Sequence, residues 1–203
     1  CKNIIDTKYK TELINLNEAL NTTGLENTAE QAHILVIRNG VDYLLNINTK
    51  ETKDNLLEEQ QKLDKDKKAF MYGRVVNKRA RHNLCFADFT QEANYEKKKG
   101  TVIDFKNEKI RITNILRENI GYLFNKDGIY KKTHKLLAEG NYYYDINKCG
   151  IGWHGDSERR KVIGVRLGET IPLAYLWHIN NKSLGEKIVI NLNHGDLYIM
   201  SEK

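Results

Sequence analysis

The part of the sequence that most constrains the fold begins at Leu137. From there to the end, short β-prone segments alternate with turns that contain Gly or Asn. The segments are 142–144, 162–167, 173–177, 187–192 and 197–200. Several short strands at such spacing are typical of a β-sandwich or a β-barrel. The sequence therefore predicts a β-rich core in its last third.

The first 136 residues combine helical and strand patterns. Apolar residues recur at helical spacing in three stretches, which are 9–30, 50–68 and 110–123. The apolar, β-branched run 34–37 ends at Asn39-Gly40, which predicts a buried strand followed by a turn. Together with the β-rich last third, these patterns predict a fold of the α+β class.

The composition fits one globular domain with no membrane partner. Of the 203 residues, 40% are hydrophobic and 30% are charged, and no apolar run approaches the roughly 18 residues that a membrane span needs. The three cysteines, Cys1, Cys85 and Cys149, form no Cys-x-x-Cys motif, and the N-terminus shows no secretory pattern. These features favour an intracellular location in the cytoplasm or nucleus. The net charge of +6 permits a polyanionic partner.

His154 and Asp156 are the strongest candidates for metal ligands. They alternate with Gly155, so on a β-strand their side chains share one face. An imidazole and a carboxylate on one face supply two legs of the 2-His-1-carboxylate triad, which holds non-haem Fe(II) and leaves positions open. Because a chain with six histidines can show His-x-Asp by chance, the neighbouring motifs decide its meaning.

These candidate ligands belong to a longer series of motifs. In order, the motifs are Asn141-x-Tyr143-x-Asp145, Ile151-Gly-x-His-x-Asp-x-Glu158, Val165-Arg-Leu-Gly168 and Asn193-His-Gly-Asp-Leu197. The series resembles the AlkB-like branch of the Fe(II)- and 2-oxoglutarate-dependent oxygenases. The resemblance is close over residues 141–200 and fainter over 34–90, where it includes Tyr72-Gly-Arg74.

The resemblance implies a single oxygenase domain over residues 1–203, built on a double-stranded β-helix (jelly roll). Residues 1–136 would form an N-terminal, substrate-facing extension whose helices and strands pack around residues 137–203, an incomplete jelly-roll core. In the family, a distal iron-binding His and an Arg that clamps 2-oxoglutarate follow the His-Gly-Asp turn. This sequence ends at Lys203 before either residue, so we expect both beyond it. The chain is then a fragment or a degenerate copy, and the lack of an initiator Met favours a fragment.

The resemblance also implies a role for each residue of the candidate active site. Fe(II) would be held by the catalytic residues His154 and Asp156, and 2-oxoglutarate would be bound by Asn141 and Tyr143. Glu158 matches an acidic position that faces the substrate base and favours a cationic ring. Its alternative is a surface carboxylate paired with a neighbouring Arg.

Three further side chains have two interpretations each. Trp153 either lines the substrate site or packs in the core. Arg166 either meets an anion in the site or faces solvent. His194 lies in the His-Gly-Asp turn, where the family carries a structural residue, so we do not take it as the third iron ligand.

The substrate predicted is a nucleic acid with alkylated bases. Arg74 and Arg79, together with Lys78 and Arg81, place positive charge in a β-prone stretch that can contact phosphates; the alternative is a solvated strand. As an AlkB-like enzyme, the protein would hydroxylate or oxidatively demethylate bases, as in DNA repair. The first alternative is the same oxygenase chemistry on a protein or a small molecule, and the second is a non-catalytic binding domain.

Overall fold

The computed structural model describes residues 10–25, 27, 30–123, 135–155 and 161–201. Within these residues the chain forms eleven strands, three α-helices and four short 3-10 helices, so the predicted α+β class is confirmed. None of the helices that the structure describes has the length and apolar character needed to cross a bilayer. The described chain divides into two compact units, which we call the first unit (Cys1–Lys53 and Asp156–Lys203) and the second unit (Asp54–Gly155).

The regular elements follow one another in a mixed order. The strands are β1 Thr11–Asn15, β2 His33–Ile37, β3 Lys68–Met71, β4 Arg74–Asn77, β5 His82–Ala87, β6 Val102–Asp104, β7 Ala138–Tyr142, β8 Lys161–Val165, β9 Ile171–Ile179, β10 Lys182–Leu192 and β11 Leu197–Ser201. The α-helices are α1 Gly40–Leu45, α2 Lys53–Gln61 and α3 Arg111–Asn119. The 3-10 helices are Leu16–Thr23, Tyr95–Lys97, Glu108–Ile110 and Ile120–Leu123.

The first unit contains a four-stranded antiparallel sheet and a long hairpin. The sheet order is β1-β2-β11-β8, and β9 pairs with β10. Strand β2 is rich in β-branched residues, and its Ile34 and Val36 share one face and are fully buried. They pack with Leu16, Ile190 and Leu192, so residues far apart in sequence form this core.

An ion-pair network ties β2 to the turn before β11. Arg38 donates to Asp196 at 2.6 Å and to Glu12 at 2.8 Å. The Asp196 carboxylate is almost completely buried and also accepts from the backbone amides of Asn39 and Asn193. Because every one of these bonds is charge-assisted, the His-Gly-Asp turn is held firmly against β2.

The Arg38–Glu12 pair predicts an acid-sensitive first unit. The hydrogen bond from Arg38 lowers the pKa of Glu12 from 4.5 to about 2. A carboxyl that titrates lower when folded adds stability above pH 4.5, and this stability disappears as the pH falls from 4.5 toward 2. We expect Glu12→Gln to lower the free energy of unfolding by about 2 kcal/mol at pH 6, after allowance for partial exposure.

Urea denaturation of the wild type and Glu12→Gln at several pH values measures this difference. The two free energies of unfolding should converge near pH 2. The exposed Glu18 lies in the same unit, so Glu18→Gln is the control and should follow the wild type throughout. A constant gap between wild type and Glu12→Gln down to pH 2 would contradict the prediction.

The second unit is built on a three-stranded sheet of order β6-β5-β7. Strand β5 runs parallel to β6 and antiparallel to β7. One face of β5 places Leu84 and Phe86 in a core with Leu63, Phe105 and Ile110. Strands β3 and β4 form a separate hairpin.

Helix α3 is anchored by a side chain from α2. Glu59 accepts hydrogen bonds from the backbone amides of Ile112 and Thr113 at 2.7 and 2.9 Å, and from the Thr113 hydroxyl at 2.7 Å. A carboxylate at the start of a helix satisfies amides that have no partner within the helix and is favoured by the helix dipole. The two helices of this unit are thereby fixed against each other.

Most of the predicted elements agree with the structure. Helical spacing over 110–123 is confirmed by α3 and the 3-10 helix after it, and the helix predicted over 50–68 is confirmed for 53–61, whereas Lys68 begins β3. The helix expected over 9–30 is wrong in its first half, which forms strand β1 before a 3-10 helix, because β1 pairs with β2. The strand expected at 142–144 lies earlier, as β7, where it pairs with β5.

The described strands do not close into a barrel. They form four separate sheets, of four, two, two and three strands. The jelly roll and the grouping of the whole chain into one domain therefore stay predictions.

Candidate functional site

The segment that contains His154 differs from the sequence prediction. Residues 151–155 are exposed and irregular, so the strand predicted to align His154 with Asp156 is absent there. The physical reason is the glycine content, since Gly152 and Gly155 weaken a strand and make no side-chain packing. Asp156 and Glu158 lie outside the described residues. Across the described part of the chain, no group of three or more His, Cys, Asp and Glu side chains is placed to hold a metal ion.

The His154 ring is nevertheless oriented by a local hydrogen bond. Its Nδ1 lies 2.8 Å from the carbonyl oxygen of Gly152. Because a carbonyl can only accept, Nδ1 donates this bond, and Nε2 lies on the other side of the ring. Histidines that bind metals through one nitrogen commonly donate the other N–H to a backbone carbonyl. The orientation of the His154 ring is therefore compatible with metal binding through Nε2.

Asn141 lies in a polar network on the face of β5 and β7 opposite the core. The register of the two strands places Asn141 across from Asn83. The Asn141 Oδ1 accepts from Arg81 Nε at 2.6 Å and from Asn83 Nδ2 at 2.7 Å. Among the described residues, these bonds use the acceptor side of the Asn141 amide and leave its Nδ2 donor for a ligand.

Lys78 and Glu139 extend this network. Lys78 Nζ donates to Asn83 Oδ1 at 2.9 Å, and Asn83 Nδ2 donates to Glu139 Oε1 at 3.0 Å. Burial lowers the pKa of Lys78 below its usual value. The sequence patterns identified Lys78 and Arg81 as basic residues but not as partners of Asn141, because that contact depends on the pairing of two strands about sixty residues apart.

Three aromatic rings form a stacked group at the end of the same two strands, which we call the aromatic platform (His82, Tyr142 and Tyr144). The His82 and Tyr144 rings are nearly parallel, with centroids 4.2 Å apart, and Tyr142 lies 6.4 Å from His82. The Tyr144 hydroxyl donates to the carbonyl oxygen of Arg79 at 3.0 Å. Lys65 Nζ lies 5.0 Å from the centre of the Tyr142 ring. Sequence patterns gave no signal for this group.

The aromatic platform lies in a positive environment. Burial has the largest effect in lowering the pKa of His82, and the positive charges of Lys67, Lys78 and Lys65 lower it further. The imidazole is therefore neutral at physiological pH. A neutral ring stacks between tyrosines without the cost of desolvating a charge.

The structure places the other predicted site residues separately. Tyr143 is half-buried, and Trp153 is 57% exposed, which excludes its core interpretation. Arg74 and Arg79 are exposed, at the start of β4 and in the segment before β5. They are not part of the Asn141 network in the described residues.

The tip of the β3–β4 hairpin carries an unusual residue. Tyr72 is 88% exposed and has a φ of 54°, next to Gly73 with a φ of 75°. Two-residue hairpin turns favour Asn, Asp or Gly at such positions, because a left-handed backbone strains other residues. An aromatic residue here presents its ring to solvent beside Arg74.

Two candidate residues of the first unit, His194 and Arg166, form hydrogen bonds with the backbone. His194 Nδ1 accepts from the backbone amide of Gly168 at 3.0 Å. The Arg166 guanidinium donates to the carbonyl oxygen of Glu169 at 2.8 and 2.9 Å. Both side chains bind local backbone and stabilise the turns around β8 and β11.

The described residues define an α+β protein with a polar network and a stacked aromatic group on one sheet. No family model matches the sequence, and no solved structure matches it. The chain is 46% identical over 200 residues to an uncharacterized protein of Acanthamoeba polyphaga mimivirus; the match covers 98% of this chain and 72% of that protein. The chain therefore belongs to the same family as the mimivirus protein.

Proposed function

We propose that the protein is an Fe(II)- and 2-oxoglutarate-dependent oxygenase of the AlkB type that hydroxylates or demethylates nucleic-acid bases. The observation that carries the proposal is the orientation of His154, whose Nδ1 is bound to the Gly152 carbonyl oxygen. When the ring is neutral, this bond leaves the Nε2 lone pair for a metal within a His-x-Asp motif of the family's pattern. The jelly-roll core and an intracellular location belong to the same proposal.

The residues present fit the two cofactors by their donor chemistry. Imidazole and carboxylate, from His154 and Asp156, suit Fe(II). The Asn141 amide, with its Nδ2 group pointing away from the bonds to Arg81 and Asn83, can donate to a carboxylate of 2-oxoglutarate, and Tyr143 supplies a second donor. When bound, the metal and 2-oxoglutarate activate O₂ for oxidation of a C–H bond, chemistry that belongs to the cofactor.

Arg81 and Asn83 act as positioning residues in this proposal. Both donate to Asn141 Oδ1, so they fix which side of the amide faces a ligand. A fixed amide loses less conformational freedom on binding than a mobile one. The two positive charges of Arg81 and Lys78 outweigh the single negative charge of Glu139 in the network and favour a dicarboxylate nearby.

The proposed substrate follows from charge and exposed aromatic rings. The exposed Arg74 and Arg79 can contact phosphates, and the Tyr72 ring beside Arg74 can stack on a base. Trp153 and Glu158 would contact the target base. Nucleic-acid bases outside a duplex are recognised by such aromatic and charged groups.

A turnover assay with a matched histidine variant tests the proposed function. In the full-length protein, we expect His154→Ala to reduce succinate formation from 2-oxoglutarate by at least about 100-fold, since even outer-shell partners of a metal site matter 10- to 100-fold. Methylated DNA and RNA oligonucleotides should stimulate the wild type, and methylated peptides should not.

His178 is a close control for His154. It is exposed, and its Nδ1 lies 3.1 Å from the carbonyl oxygen of Leu176, two residues earlier, as in His154. His178→Ala should keep wild-type turnover and Fe(II) affinity. Equal turnover in the wild type and His154→Ala would refute the metal assignment, and stimulation by peptides alone would move the substrate to protein.

A further inference from the structure

We propose that the aromatic platform is a stacking site for a base of single-stranded nucleic acid. The choice of nucleic acid as the ligand rests on the proposed function, whereas the site itself rests on the geometry of the second unit. It is separate from His154 and from the Asn141 amide. Its base-contacting ring would be Tyr144, supported by His82.

The Tyr144 side chain is held in place by neighbouring residues and is still partly exposed to solvent. Its ring is stacked on His82 with an interplanar angle of 16°, and its hydroxyl is bound to the Arg79 carbonyl oxygen. The residue is still 39% exposed, and its neighbour Tyr142 is 43% exposed. Aromatic rings that served only as core would be buried. A fixed, exposed ring binds a base at low entropic cost.

The segment that receives the Tyr144 hydroxyl is itself anchored. Gly150 donates its backbone amide to the carbonyl oxygen of Ala80 at 2.9 Å, next to Arg79. The backbone that accepts the Tyr144 hydroxyl bond is therefore fixed, and the exposed Arg79 leaves the chain at this point. Sites for single-stranded nucleic acid commonly combine positive charge with stacking rings.

The charge around the aromatic platform fits a polyanion. Lys65, Lys67 and Lys78 are near enough to His82 to lower its pKa. Lys65 also approaches the Tyr142 ring. Binding at such a site has a stacking part, which is insensitive to salt, and an ionic part, which weakens as salt rises. The two parts can be measured separately.

The test uses a single-stranded oligonucleotide that contains 2-aminopurine, whose fluorescence falls when it stacks. We expect the wild type to quench this fluorescence and to bind the oligonucleotide. Tyr144→Leu keeps an apolar side chain but removes the ring, so it should bind about tenfold more weakly, lose the quenching and keep the salt slope. Tyr144→Phe keeps the ring and its stacking on His82 but lacks the hydroxyl bond to Arg79, so it should keep the quenching and most of the affinity.

Tyr122→Leu is the matched control, because Tyr122 is an exposed tyrosine of the same unit outside the platform. It should leave affinity and quenching unchanged, and thermal melting should show that all variants are folded. Wild-type affinity and quenching in Tyr144→Leu, or no binding by the wild type, would overturn the site. Tyr144-dependent quenching without succinate formation supports the platform and rejects the oxygenase. His154-dependent turnover, together with quenching that is unchanged in Tyr144→Leu, supports the oxygenase and rejects the platform.

Discussion

Gly185→Ala is expected to lower the free energy of unfolding by about 3 kcal/mol, from left-handed backbone strain and overpacking combined. Gly185 has a φ of 71° and lies at the irregularity of β10 between Leu184 and Ile188. A Cβ atom there would overlap the backbone carbonyl oxygen of Ala19. Because the obstacle is backbone in a 3-10 helix rather than a flexible side chain, small shifts cannot relieve the overlap.

Gly24→Ala separates the two causes. Gly24 has a φ of 73° in the same unit, but a Cβ atom there would meet nothing within 4 Å. This variant should therefore show the backbone strain alone, about 1 kcal/mol. Urea denaturation with unchanged m-values measures both variants. Equal losses in Gly24→Ala and Gly185→Ala would show that the contact with Ala19 adds nothing.

Asp66→Ala is expected to lower the free energy of unfolding of the second unit by about 3 kcal/mol, since it leaves half-buried donors without this partner. The buried Asp66 carboxylate accepts from the Tyr95 hydroxyl at 2.9 Å and from the amide and hydroxyl of Thr101, both at 2.7 Å. These bonds connect the segment before β3 to the loop before β6.

The pKa of Tyr95 reports on the same contact with Asp66. Burial, followed by the hydrogen bond to Asp66, raises the pKa of Tyr95 to about 12. In Asp66→Asn the negative charge is removed, so Tyr95 should ionise at a lower pH in an absorbance titration. Asp64→Ala changes an exposed carboxylate two residues away and should alter stability by less than about 0.5 kcal/mol. A similarly small effect of Asp66→Ala would refute the role of this carboxylate.

Local patterns predicted those parts of the fold that depend on nearby residues. The buried run of β2 and the apolar face of α3 are visible in the sequence, because a strand or helix face repeats at fixed spacing. Strand β1 was missed because its pairing with β2, and not its own spacing, selects the extended backbone.

In the candidate site, too, local patterns predicted some residues and missed the contacts that depend on strand pairing. His154 and Asn141 could be proposed as candidates from their motifs. The contacts of Arg81 and Asn83 with Asn141, and the stacking of His82 on Tyr144, could not, because they require the register between β5 and β7. One residue of slip would turn each of these side chains to the other face.

The chain order of the two units has a consequence for protein synthesis. The second unit is one continuous stretch, Asp54–Gly155, so all of its contacts are available once Gly155 has left the ribosome. In the first unit, by contrast, β2 pairs with β11, which is made about 160 residues later. Until then, one edge of β2 has no strand to bind, and closing so long a loop slows folding. The second unit can therefore fold before the first unit has been fully synthesised.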